Sequence, residues 1–234
     1  MKLNADLGEG QHWDNRNIAH TLAPYIEIAN ISCNQHAGDE DHIKETIEIC
    51  LNHGVAIGAH PSYEDRKNFG RISHTLSKEE LRAILLRQWD WLSKLVSSFG
   101  GELTYFKAHG ALYNDMTSNP EIFSVVQETI DEISKDLIHI CSPFSSTKSE
   151  KVLKEGFIDR LYLPNGRLTP RSRPNAVHDD IDKVLQQIQS LKKNKVLTED
   201  GSEIQLFVET LCLHGDNELL VENIRLIKET INEN

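Results

Sequence analysis

Short apolar runs alternate with longer amphipathic segments along all 234 residues of the chain. The runs predict strands at Lys2–Asp6, Glu27–Ser32, Val55–Ala59, Leu103–Lys107, Leu137–Cys141, Arg160–Leu163 and Phe207–Leu213. Between them the apolar period lengthens to that of a helix, over residues 39–54, 77–100, 119–136, 179–195 and 217–234. The first of these segments starts on an acidic cap and stops at Gly54. The second opens on a Ser77-x-x-Glu80 capping box and closes on Gly100, and the third has Pro120 in its first turn.

Strand and helix alternating about seven times predict parallel βαβ units, hence a TIM-type barrel or a doubly wound open sheet. Seven units without a Gly-rich first turn favour the barrel, as one α/β domain spanning 1–234. No repeat or linker interrupts it. The stretch "LPNGRLTPRSRPNAVHDD" (163–180) is a long polar, Pro-rich loop, and loops of that length in compact domains are usually functional.

Composition narrows the classes. The 38% hydrophobic and 26% charged content is that of an ordinary soluble protein. A formal charge of −11 argues against nucleic acid or an anionic membrane as partner. No apolar run approaches the ~20 residues of a membrane span, and "MKLNADLGEG" has no signal-peptide core, so a cytoplasmic protein is expected. Cys33, Cys50, Cys141 and Cys212 form no CxxC pair and read as buried free thiols. Cys33, three residues before His36 in a polar loop, is the exception to watch.

The chemistry gathers where strands end. "LNADLGE" runs into Asp6, Gly8 and Glu9, and "ANISCNQHAGD" into His36, Gly38 and Asp39. "VAIGAHPSYED" ends at His60, "YFKAHGALYN" at Lys107 and His109, and "LCLHGDN" at His214 and Asp216. In a (β/α) barrel the C-terminal strand ends carry the active site. One such histidine is usually a loop residue; four in the same topological position indicate a site. Of the other histidines, His20, His42, His53, His74 and His139 read as solvated, while His12 and His178 lie in loops near the mouth. Lys107 and His109, two apart on a strand, share the inner face. Lys107 then pairs with Asp6 or another acid, or binds an anionic substrate group. Arg171 and Arg173 could clamp a carboxylate or phosphate. GxxxxGK[ST], GxGxxG and GxSxG are all missing. The residues alone thus support acid–base hydrolysis or an Asp-His-His metal site activating water, and leave both open.

The motifs "LNADLGE", "ANISCNQHAGD", "GVAIGAHPSYED…FGR", "KAHGALYND", "NGRLTPRSRPNAV" and "HGDN", in this order, resemble the LamB/YcsF family over essentially the whole chain. Members of that family serve as the A subunit of the ATP-dependent 5-oxoprolinase. The resemblance implies a seven-stranded, TIM-like (β/α) barrel related to polysaccharide deacetylases. It implies opening of the 5-oxoproline (pyroglutamate) lactam to L-glutamate with ATP hydrolysis, in partnership with subunits B and C. A bound divalent metal and a homo-oligomer are left open. Carried onto this sequence, it points to Asp6, His60, Lys107, His109, His214 and Asp216 as catalytic residues. Glu9, His36, Asp39, Tyr113, Arg160 and Arg171 would contact substrate, and Asp6, His36 and His60 are the candidate metal ligands. Gly8, Gly38, Pro61, Gly110, Asp159, Pro170, Gly215 and Asn217 complete the motif positions. The chain departs from the family pattern at Ala5 (usually Cys), at Asn34 and Gln35, at Ser62 (usually Gly) and at Ala108 (usually Pro). The loop after Glu9 and the segment between Pro143 and Asp159 are shorter than usual. The ionisable residues are kept throughout.

A lactam is a resonance-stabilised amide, and phosphorylating its oxygen would make the ring carbon a good electrophile. Lacking a P-loop, the chain is expected to leave phosphorylation to its partners and to open the activated ring. His109 or His60, held by Asp6 or Asp216, would deprotonate water while Lys107 and Arg171 neutralise charge. The competing expectations are a stand-alone metal-dependent deacetylase or amidohydrolase, and a non-catalytic binding subunit.

Overall fold

The computed structural model describes residues 1–10, 18–145 and 151–233. Strand β1 (Lys2–Leu7) leads through α1 (Ile18–Leu22) to β2 (Ile28–Ser32), and α2 (Glu40–Asn52) leads to β3 (Ala56–His60). A 3₁₀ turn at Arg66–Asn68 and α3 (Lys78–Ser98) precede β4 (Leu103–Lys107). Then come α4 (Gly110–Ser118), α5 (Pro120–Ile133), β5 (Ile138–Cys141), β6 (Val152–Phe157) and α6 (Ile181–Lys192). A hairpin of β7 (Lys195–Leu197) and β8 (Glu203–Gln205) precedes β9 (Thr210–His214), α7 (Glu218–Glu222) and α8 (Ile224–Asn232). Strands β1 to β6 and β9 form a closed parallel barrel in which β9 joins β6 to β1. The seven-stranded barrel expected from the sequence is present.

Local chemistry sets the helix boundaries. The Asp39 carboxylate accepts from the His42 N–H at the start of α2, and Ser77 and Glu80 form the predicted reciprocal capping box on α3. Asn119 caps α5 with Pro120 next, and Asp180 caps α6. Register then places strand ends side by side. Asp6 lies opposite His214 across β1–β9, and Ser32 opposite His60 across β2–β3.

The barrel wall has an apolar outside and a largely polar inside. Leu3, Ala5, Leu7, Ile31, Ile57, Leu211 and Leu213 belong to the main core, which includes the covering helices. Ile28, Tyr105 and Ile140 form a separate small cluster. Lys107 identifies the interior: from β4 it reaches Asp6 on β1, Glu155 on β6 and Cys212 on β9, none of them neighbouring strands. Asn4 donates to Thr210 Oγ1 and the Leu211 carbonyl, both at 3.0 Å. Asn30 donates to Asn4 Oδ1 at 2.8 Å and to Asp6 Oδ1 at 2.9 Å.

The sixth strand is not the expected Arg160–Leu163 but Val152–Phe157. Residues 160 and 162 make only isolated bridges, Arg160 to Val177 and Tyr162 to Leu168 and Thr198. The true strand, "VLKEGF", carries its inward charge at Glu155, whose partner Lys107 lies across the barrel, so no apolar run marks it. The β7–β8 hairpin, α1 and α4 were also unmarked, and the last helical segment is split at Asn223. His42 and His139 are buried rather than solvated. His139 bonds Gln127 Oε1 at 2.9 Å, and burial, followed by the Lys154 charge, pulls its pKa to about 3. All four cysteines are free and buried, and burial pushes the Cys33 thiol up to about 12, which removes it from reactive chemistry. Among the described residues no helix is long and apolar enough to cross a membrane.

Candidate active site

Three histidines and a carboxylate meet at the barrel mouth. Glu9 Oε1 lies 2.9 Å from His36 Nε2, 3.1 Å from His109 Nδ1 and 3.7 Å from His60 Nε2. His109 Nδ1 and His60 Nε2 are 3.0 Å apart. The His36 and His109 rings stack at 3.8 Å, and His60 stands edge-on to both. Burial, reinforced by the nearby His109 charge, pulls His36 to about 3, so it is neutral at physiological pH. Burial alone would raise the Glu9 carboxyl, but His109 and His36 hold it well below the usual carboxylate range.

Each ring is fixed from behind. His60 Nδ1 donates to the Lys107 carbonyl at 2.8 Å, and His109 Nε2 to the Phe69 carbonyl at 2.9 Å. His36 Nδ1 lies 3.0 Å from Ser62 Oγ, whose own hydrogen goes to the Tyr63 carbonyl at 2.8 Å. Ser62 is itself clamped by Gln88 of α3 through paired bonds to its N–H and C=O. Phe69 presents its carbonyl from a left-handed backbone at φ 55°, unusual for a bulky side chain. Next to it a Cβ on Gly70 would stand 2.9 Å from His36 Cβ and 3.0 Å from His109 Cδ2, at φ +63°, so only glycine fits. Gly38 is equally constrained, since a Cβ there would lie 2.1 Å from the Gly8 carbonyl oxygen at φ +82°.

Beside this cluster lies a second unit. His214 Nδ1 is 2.9 and 3.1 Å from the two oxygens of Asp159, which also accepts from Asn217. Burial opposes both charges, but the two groups charge each other: Asp159 falls to about 2 and His214 rises above its ordinary value. The His214 ring stacks on Phe157 at 5.4 Å. Among the described residues Asp216 holds no histidine; it pairs with Arg71 at 3.0 Å, and that guanidinium lies over the Phe69 ring at 4.6 Å. Asp6 is held by Lys107 at 2.8 Å and sits 3.3 Å from His60. Burial would raise its carboxyl, yet His60 and Lys107 carry it well below the usual range.

A cleft of about 350 Å³ opens onto both units. It is lined by Asp6, Glu9, His60, Lys107, His109, Tyr113, Arg160, Arg171, His214 and Asp216, ten of the twelve residues singled out from the sequence. His36 lies behind the lining, fully buried. Asp39 lies outside it, exposed as the α2 cap. Arg160 donates to the Thr169 and Ala176 carbonyls, and burial together with Arg171 lowers its guanidinium to about 10. The cleft is therefore lined by the histidine of the Asp159–His214 pair, by two of the three clustered histidines and by Arg71, Arg160 and Arg171.

The LamB/YcsF family model matches residues 1–234. The chain belongs to this family. Among LamB/YcsF relatives, the 5-oxoprolinase A subunit of Vibrio cholerae is 39% identical, covering 100% of this chain and 98% of its own. The 5-oxoprolinase A subunit of Pseudomonas fluorescens is 35% identical, covering 100% and 97%. The crystal structure of the lactam utilization protein from Thermus thermophilus superposes with TM-score 0.86 at 30% identity, covering 99% of this chain and 95% of that one.

Three residues of this family member's site escaped the sequence reading. Glu155 gave no signal because its strand was misplaced. Arg71 stood in the quoted "FGR" motif and Asp159 among the motif positions, but neither had a role; their partners Asp216 and His214 lie 145 and 55 residues away. His12 lies outside the described residues. His178 bonds Gln187 at 3.0 Å, and Arg173 pairs with Glu199.

Proposed function

We infer that the chain opens the 5-oxoproline lactam to glutamate as the A subunit of an ATP-dependent 5-oxoprolinase. The observation that carries this is full-length family membership together with relatives of that name at up to 39% identity. The cleft suits the chemistry. Its roughly 350 Å³ accommodates a five-membered ring with one carboxylate. Arg171 and Arg71 at the rim, with Arg160 behind them, supply positive charge for that carboxylate or for a phosphoryl group on the ring oxygen. The Tyr113 side chain lines the same cleft, and its buried hydroxyl has no hydrogen-bond partner among the described residues.

His214 is the proton carrier in this reading. Its Nδ1 is committed to Asp159, leaving Nε2 to take a proton from water attacking the ring carbon and to return it to the ring nitrogen as the C–N bond breaks; the acyl phosphate so formed is then hydrolysed by a second water to glutamate and inorganic phosphate. Asp159 stabilises the imidazolium formed in between. This replaces the expectation of a base held by Asp216, which is committed to Arg71. With no phosphate-cradling motif in the sequence, ATP-driven activation of the ring oxygen is assigned to the partner subunits B and C.

The test is ATP-coupled 5-oxoproline hydrolysis by the complex reconstituted with B and C. His214→Gln is expected to lower kcat at least about 100-fold, the usual worth of a positioned acid–base group. Turnover within a few-fold of wild type removes His214 from the reaction. Amide hydrolysis by the chain alone, without ATP, overturns the ATP-coupled reading itself.

A further inference from the structure

We propose that Glu9, His36, His60 and His109 form a binding site for one divalent transition-metal ion, zinc above all. Each histidine spends one ring N–H on a fixed acceptor: His60 Nδ1 on the Lys107 carbonyl, His109 Nε2 on the Phe69 carbonyl and His36 Nδ1 on Ser62 Oγ. Tyr63 O at 2.8 Å takes the Ser62 hydrogen, which leaves Ser62 Oγ to accept from His36 Nδ1. With one hydrogen per ring so placed, the remaining nitrogens, His36 Nε2, His60 Nε2 and His109 Nδ1, carry lone pairs and gather around Glu9 Oε1.

With the hydrogens so placed, a cation among these atoms removes their mutual repulsion. His60 Nε2 faces three acceptors: His109 Nδ1 at 3.0 Å, Asp6 Oδ2 at 3.3 Å and Glu9 Oε1 at 3.7 Å. One proton on His60 would satisfy that nitrogen and still leave His36 Nε2 against Glu9 Oε1 at 2.9 Å with no hydrogen between them. A metal ion satisfies all four atoms at once. The spacing fits: tetrahedral zinc with bonds of 2.0–2.1 Å sets its ligands ~3.3–3.4 Å apart, and four of the six separations among these atoms are 2.9, 3.0, 3.1 and 3.7 Å. All four ligand atoms lie within 4.8 Å of one another. Three imidazoles and a carboxylate, without thiolate, suit zinc, cobalt, nickel or manganese.

The supports behind the rings are those a metal site uses, a carbonyl or hydroxyl fixing the tautomer of each ligating histidine. Asp6 stays outside the set, its Oδ1 taking hydrogen bonds from Lys107 and Asn30. Glu9, His60 and His109 line the cleft, so a bound ion is reachable from it. The site stands independently of the lactam reading, since it concerns this chain without ATP or partners.

The test is metal content and metal titration of the purified chain. Wild type prepared without chelator is expected to hold one equivalent of zinc. After chelator dialysis it should take up one equivalent of Co²⁺ and develop the visible absorption of a four- or five-coordinate site. Its melting temperature should fall on chelation and recover with one equivalent of Zn²⁺. Glu9→Gln and His109→Asn should abolish tight uptake. Ser62→Ala, which leaves the backbone bonds to Gln88 in place, should keep the stoichiometry but weaken affinity about 10–100-fold. Wild type that takes up neither ion and melts identically with and without chelator overturns the site, as does binding by Glu9→Gln and His109→Asn equal to wild type. Wild type that binds no metal yet shows His214-dependent, ATP-coupled turnover would sink this inference and leave the lactam reading standing.

Discussion

At the residue scale, each ionisable group near the mouth is defined by what holds it. Ser62 shows this best. Its place in the sequence gives no sign of a role; in the fold its Oγ lies 3.0 Å from His36 Nδ1 and its backbone is clamped by Gln88. His214 and Asp159 yield a pH prediction. Burial works against both charges, yet the pair leaves Asp159 at about 2 and His214 above 6.5. A raised imidazole pKa gives stability that is complete below pH 6.5 and lost as pH rises through the folded value. A lowered carboxyl pKa gives stability that is complete above 3.8 and lost as pH falls towards 2. The stability difference between wild type and His214→Gln should therefore peak between about pH 4 and 6.5, at roughly 1.5–3 kcal/mol, the range for charged hydrogen bonds. Urea unfolding at pH 5.5 and pH 8.5 checks it; a difference that grows at pH 8.5 would exclude the dyad as drawn. The four mouth histidines were legible because each ends an apolar run. The pairing of His214 with Asp159 was not, because spatial partners 55 residues apart leave no mark on a single sequence.

At the scale of elements, strand ends and helix starts share the same few residues, and that makes roles easy to confuse. Asp39 follows His36 and Gly38 in a motif rich in functional residues, and so reads as a substrate contact. In the fold its carboxylate caps α2 through the His42 N–H at 3.0 Å and faces solvent away from the cleft. Asp39→Ala is accordingly expected to cost about 1 kcal/mol of stability, the usual worth of an N-cap. Denaturant unfolding measures that cost, and kcat/KM of the reconstituted enzyme should change less than two-fold; a hundred-fold loss of activity with unchanged stability would return Asp39 to the site. The elements that could be read were those whose burial is apolar: β1 to β5, β9 and the long capped helices. β6 could not, because Lys154 and Glu155 break its apolar run, and Glu155 is tolerated inside only because Lys107 reaches it from β4.

For the whole molecule, closure of seven strands brings together charges that the linear chain keeps far apart. Lys107 Nζ stands 2.8 Å from Asp6 Oδ1 and 2.9 Å from Glu155 Oε1, the latter an ion pair without hydrogen-bond geometry, and 3.1 Å from Cys212 Sγ. All of these groups are buried, and although burial disfavours the Lys107 charge, Asp6 in particular keeps it protonated. The interior is therefore a charge network that ties β4 to β1, β6 and β9 beneath the histidine cluster. Such a network adds little beyond what an apolar filling would give, but breaking it from one side is costly. Lys107→Met leaves two buried carboxylates facing each other, with an expected loss of about 3–5 kcal/mol. Adding Glu155→Gln removes one of those charges, while Asp6 keeps Asn30 and His60. The double variant should thus be more stable than Lys107→Met alone. Being buried, the effect should persist at 1 M salt, where exposed pairs such as Arg71–Asp216 are screened out. Urea midpoints at constant m-value measure all three proteins. If the double variant is the less stable of the two, Glu155 is held by something other than Lys107 and the network does not organise the barrel interior.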